Sequence, residues 1–140
     1  MIDKDTGHII ISNAIHIKHN DLKQYMSLLN IGETSSQRDH PNGWSWIQEN
    51  NVFKDNLYFI IQFGFFENKL KEIVLSVSHT KFDTTQTWDS WSETKELEKL
   101  ETYKTWLHSE LGSQTEFTWG TASAFYDAKG GSSVVHLRYR

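Results

Sequence analysis

Apolar residues recur with a period of two along several stretches of the chain, and with a period near 3.6 along two others. The clearest stretch runs from Leu57 to Phe66. Leu57, Phe59, Ile61, Phe63 and Phe65 share one face, and Tyr58, Ile60, Gln62, Gly64 and Phe66 share the other. A strand this apolar on both faces predicts a central position with cover on both sides. Glu67-Asn68-Lys69 predicts a hairpin turn, and the return strand sets Ile73, Leu75 and Val77 opposite Glu72, Val74, Ser76 and Ser78. Near the C-terminus, Phe117, Trp119, Thr121, Ser123 and Phe125 fall on one face of an extended segment. Asp127 to Gly131 supplies a turn, and Val135, Leu137 and Tyr139 then alternate with His136 and Arg138.

The remaining elements are shorter or helical. Gly7 to Ser12 and Ile15 to Ile17 read as two short strands. Trp44-Ser45-Trp46 opens a strand running to about Glu49, with Asn50-Asn51 and Lys54-Asp55-Asn56 as polar interruptions. Asn20 is the expected N-cap of a first helix carrying Leu22, Tyr25, Met26 and Leu29 on one stripe, ended by Asn30 and Gly32. Ser90-Trp91-Ser92-Glu93 matches a capping box. The second helix carries Leu97, Leu100, Tyr103, Leu107 and Leu111, with Trp106 beside that stripe and Gly112 as its stop; Glu93, Glu96, Lys99 and Glu110 form its solvated face. Residues 33–43 and 79–91 read as loops. The pattern predicts an α+β fold, a mainly antiparallel sheet of about five or six strands with two helices, in a single domain over residues 1–140.

Composition narrows the function classes. The 140 residues are 37% hydrophobic and 14% aromatic, with 14 basic and 18 acidic side chains, for a formal net charge of -4. An acidic balance disfavours nucleic-acid binding and suits a basic protein partner. The chain has no cysteine, which excludes disulfides, thiolate catalysis and thiolate metal sites. No apolar run approaches the ~20 residues that span a bilayer. The segment MIDKDTGHII has no basic region followed by an apolar one, so no signal peptide is expected and the location expected is cytoplasmic.

No catalytic signature stands out. The histidine pairings open to metal ligation are His16 with His19, His79 with Asp83, and Asp39 with His40. None has a recognised ligand spacing, and half-buried or surface roles are the simpler expectation. No serine sits in a nucleophile elbow and there is no phosphate-binding glycine motif. Asp127 is either a general base or, more simply, a turn residue that accepts nearby backbone N–H groups. The better candidate is the loop before the second helix. Phe82, Asp83, Trp88, Asp89 and Glu93 combine large aromatic and acidic side chains in the manner of a protein-binding hot spot. The competing reading packs Trp88 and Trp91 as a hydrophobic staple on the helix, which is favoured for Trp91 and left open for Trp88.

Trp88-Asp89-x-Trp91 before a charged helix, Trp119-Gly120, Tyr126-Asp127-x-Lys129-x-Gly131-Ser132-Ser133 and the final Arg138-Tyr139 together resemble a family of small bacterial single-domain proteins. Chains of this type include immunity proteins of polymorphic toxin and contact-dependent inhibition systems. The resemblance covers the second half of the chain better than the first and carries no active site. It implies a cytoplasmic immunity protein that binds and neutralises a cognate toxin domain, such as a nuclease, without enzyme activity or cofactor. The alternative is a small-molecule-binding domain or enzyme with an aromatic-lined pocket between sheet and helices.

Overall fold

The computed structural model describes residues 1–85 and 91–140. Among the described residues, nine strands and two helices follow one another as β1 (Ile9–Ser12), β2 (Ile15–Ile17), α1 (Lys23–Ser27), β3 (Thr34–Asp39), β4 (Trp44–Lys54), β5 (Leu57–Phe66), β6 (Lys69–Ser78), α2 (Glu93–Leu111), β7 (Glu116–Phe117), β8 (Gly120–Asp127) and β9 (Ser132–Tyr139). The architecture is α+β, as the alternation predicts, with a larger sheet than expected. Seven strands form one antiparallel sheet in the order β3-β4-β5-β6-β9-β8-β7, and β1 and β2 form a separate pair.

The middle of the sheet is built by two tight hairpins. Asp55 and Asn56 join β4 to β5, and Glu67 and Asn68 join β5 to β6; all four residues have positive φ. Two consecutive positive φ values are the mark of a type I′ turn, whose twist matches that of the flanking strands. Asp55-Asn56 is therefore a hairpin turn rather than an interruption, and β4 continues five residues beyond Glu49. It does so through a bulge at Asn50-Asn51, where the pairing with β5 jumps from Glu49↔Ile61 to Val52↔Phe59.

One face of the sheet forms the core. Phe59, Ile61, Phe63 and Phe65 of β5 pack there with Ile73 and Leu75 of β6 and Val135 and Leu137 of β9, all at most 1% exposed. Tyr103, Leu107 and Leu111 of α2, Met26 of α1, and Ile9 and Ile17 of β1 and β2 complete the same cluster. Each fully buried aliphatic or aromatic side chain here contributes about 1.5–3 kcal/mol relative to exposure. Ser92 caps α2 by accepting the Lys95 N–H, so the helix begins later than a Ser90 cap would place it, and Ser90 lies outside the described residues.

Four expectations are corrected. Residues 34–39, expected as loop, are edge strand β3. All six of its side chains are exposed, so no apolar alternation marks it, and a polar, charged edge is a common way to protect an unpaired strand. The first helix shrinks to Lys23–Ser27 with Leu22 as a cap that makes no side-chain bond; Asn20 instead takes φ 68, and Leu28 is 83% exposed. Its chain is held to the sheet by backbone bonds instead, Leu70 N–H to Asp21 and Lys23 N–H to Asn68. Glu96 is not solvated. One of its carboxylate oxygens accepts the Ser133 N–H at 3.0 Å, and its backbone carbonyl accepts the Ser133 hydroxyl at 2.6 Å, fastening α2 to β9. Finally, the extended segment from Phe117 to Phe125 breaks between β7 and β8. Phe117 and Trp119 stack at 4.8 Å inside the fold, while Thr121 and Phe125 face outward. Asp127 is a turn residue, accepting the Lys129 and Gly130 N–H groups.

Gly120, where β8 begins, has φ +155, and a Cβ there would sit 2.0 Å from the Arg138 carbonyl oxygen in β9. Gly120→Ala is expected to destabilise the protein by about 3 kcal/mol, read as a lowered urea midpoint, because the obstruction is backbone and cannot rotate away. Glu49, 2% exposed, accepts the Ser35 hydroxyl and the Gly32 N–H, but burial outweighs both and pushes its carboxyl above the ordinary range. A raised pKa means its contribution is fully present below the unfolded-state value and is lost as pH rises through the folded one. The stability of wild type relative to Glu49→Gln should therefore be greatest below the ordinary carboxyl range and decline as pH rises above it, in paired thermal melts.

Candidate partner-binding surface

The segment between β6 and α2 is fastened at two points. Near its start, Asn51 in the β4 bulge has φ 54 and holds residue 82 through both amide atoms. The Phe82 N–H donates to Asn51 Oδ1 at 2.8 Å, and Asn51 Nδ2 donates to the Phe82 carbonyl at 3.1 Å. The side chain thus imitates a strand partner, and asparagine also tolerates the left-handed backbone of the bulge. Lys81 forms an ion pair with Glu33 beside this point. Near the other end, the Trp91 indole N–H donates to the Gly131 carbonyl in the β8–β9 turn at 2.6 Å. Trp91 is a staple, but to that turn.

Of the five residues expected to bind a partner, three are described. Phe82 is half-buried beside Asn51. Asp83 is exposed and accepts the Thr85 N–H and hydroxyl, which hold its carboxyl below the ordinary range. Glu93 is exposed in the first turn of α2. Trp88 and Asp89 lie outside the described residues. Sequence reading missed Tyr126. Partial desolvation, followed by the negative charges of Glu93, Glu96 and Asp127, pushes its phenol up, so acidic groups from α2 and the β8–β9 turn converge here. Trp91, Glu93, Tyr126 and Gly131 line a cleft of about 500 Å³ at this point.

A second surface was expected to be covered. The face of the sheet opposite the core carries no described helix, and its residues follow from the strand register. One row across the strands reads Arg38, Trp46, Gly64, Glu72, Arg138 and Thr121. The next reads Ser36, Gln48, Gln62, Val74, His136 and Ser123. Trp44, Trp46 and Phe66 pack together at one corner, with the Trp46 ring lying over Gly64 in the space a Cβ would need. Phe53 and Tyr58 pair at 4.9 Å at another corner, and Phe125 lies edge-on to His136. At the centre Glu72 lies 3.7 Å from His136 and 3.6 Å from Arg138; His136 first, then the Arg138 charge, hold its carboxyl down against the effect of burial.

Among the described residues no group of three or more His, Asp or Glu is placed to hold a metal ion. His19 stacks on Tyr139 at 5.3 Å with a buried Nε2 that has no hydrogen-bond partner. Burial, then the nearby Lys71 charge, lowers its pKa and favours the neutral ring. Between α2 and β6, Leu57, Val77, His79, Glu101, Thr105 and Trp106 line an open groove of about 370 Å³, with a single aromatic wall. No described helix is long and apolar enough to cross a membrane. Asn51→Ala should release the loop at Phe82. The expected result is a loss of about 1–3 kcal/mol and faster proteolytic cutting within residues 79–91, with cutting elsewhere unchanged.

No family model and no curated protein matches the sequence. In fold the chain is similar to a chain of a solved structure, Rhs1-CT in complex with cognate immunity protein RhsI1. The match covers 99% of this chain and 86% of the matched chain, at 14% identity and a TM-score of 0.52. At that identity the likeness is one of fold.

Proposed function

We propose that this chain is an immunity protein that binds a cognate bacterial toxin domain in the cytoplasm and holds it inactive, without chemistry of its own. The observation that carries the reading is the fold likeness, over nearly the whole chain, to a chain of a complex named for a cognate immunity protein. Charge adds to it. A net charge of -4 suits a basic toxin domain, such as a nuclease, whose own substrate is anionic. Phe82, Asp83, Trp88, Asp89 and Glu93 are the proposed contacts in the segment before α2. Hydrogen bonds from Phe82 to Asn51 and from Trp91 to Gly131 lower the ordering cost of binding through those two residues.

The test uses the C-terminal domain encoded in the reading frame directly upstream of this one. Induced alone in a bacterial host, that domain should arrest growth; co-expression of this chain should restore it, and the purified pair should bind with nanomolar affinity by calorimetry. Asp83→Lys with Glu93→Lys should slow association roughly tenfold at low salt, with a smaller effect at high salt. Arrest that persists despite soluble expression of this chain, with no binding in the calorimeter, overturns the reading.

A further inference from the structure

The described elements leave the sheet face opposite α2 uncovered, and that face has the composition of an interface. Interface centres are enriched in Trp, Tyr, Phe and Arg, and depleted in Lys, Asp and Glu. The two central rows of this face contain two arginines, a tryptophan and a histidine, with Glu72 as their only carboxylate and no lysine. Large rings stand at the corners: Trp44, Phe53 and Phe125, of which Phe53 is 57% and Phe125 41% exposed. We infer that this face is the surface on which the toxin domain docks, through an apolar ridge flanked by carboxylates; the inference rests on the function proposed above.

Charge selects this occupant. A second copy of this chain fits less well. Glu72 is already engaged by His136 and Arg138, and Arg38 has no carboxylate opposite it in its row. Two copies stacked face to face would bring four guanidinium groups together over two committed carboxylates. A partner that supplies its own carboxylates to Arg38 and Arg138 removes that conflict. The described start of the segment before α2 lies at one end of the sheet, where Asn51 of β4 holds Phe82 and Lys81 pairs with Glu33. Those residues would form the rim of an interface centred on the face.

The test compares three proteins against the same upstream-encoded toxin domain. One is wild type; one is Phe53→Ser with Phe125→Ser and Arg38→Glu; one is Arg38→Glu alone, which keeps the test valid if the triple variant folds poorly. All three sites are exposed, so circular dichroism and melting should remain near wild type. The expected result is at least about 100-fold weaker binding by the triple variant and about tenfold by Arg38→Glu, with loss of growth protection by the triple variant. Wild-type protein that neither binds nor protects overturns the functional reading and this assignment together. Tight binding that is unchanged in both variants overturns the assignment alone. So does a wild-type dimer in sedimentation at 10–100 µM, on the order of a typical in-vitro concentration range, that the triple variant abolishes.

Discussion

The sheet depends on one seam. Residues 34–78 build four strands by successive hairpins, and residues 116–139 build three more; the two groups meet only where β9 lies against β6. Four residue pairs make that junction, Glu72 with Arg138, Ile73 with Leu137, Val74 with His136 and Leu75 with Val135. On the core side, Ile73, Leu75, Val135 and Leu137 are fully buried, and α2 packs across the joint onto β6, β8 and β9. On the outer side the same pairs place Glu72 beside the His136 ring and the Arg138 guanidinium. Hydrophobic burial therefore closes one side of the seam, and a small ionic cluster sits on the other.

The parts of this architecture legible in the sequence are those where local pattern and final environment agree. β6 and β9 alternate because one side of each is buried against the core, and β5 is marked as a strand by its apolar run between turn residues. α2 shows its stripe because Tyr103, Leu107 and Leu111 all turn inward. β3 is illegible because its side chains are all exposed and its position is set by backbone pairing with β4, with side-chain bonds such as Ser35 to Glu49 and Asn50 to Thr34 that no local pattern announces. The same holds at α1, where tertiary backbone bonds set the conformation and the apparent stripe of Leu22, Tyr25 and Leu29 is spent on a short turn. Glu96 could not be read as anchored, since its partner Ser133 is distant in sequence.

The candidate surfaces divide along the same line. An aromatic and acidic segment before α2 is visible as composition, and its partner-binding role rests on that composition. Its attachment to Asn51 is invisible, because asparagine next to asparagine reads as a plain interruption until the bulge is known. The outer face is the instructive case. Apolar residues on both sides of β5 predict cover on both sides, and the described elements supply it on one. Which residues share the outer face cannot be read strand by strand, because the Asn50-Asn51 bulge and the shift between Gly64 and Phe65 each change the alternation.

The seam also sets an order on how the molecule can form. The meander from β3 to β6 pairs only neighbours in the chain and can assemble rapidly, but β6 is then an edge strand exposing the backbone groups meant for β9. The strand that satisfies them follows every other strand in the sequence, behind a loop and a long helix. Non-local closure of this kind is slow, because the chain entropy is lost before the contacts that reward it are made. Until β9 arrives, a flat strand bearing Ile73 and Leu75 is open to pairing with other chains. Variants that weaken the β6–β9 junction would thus be seen first as lowered soluble yield, before any change in the folded molecule that survives.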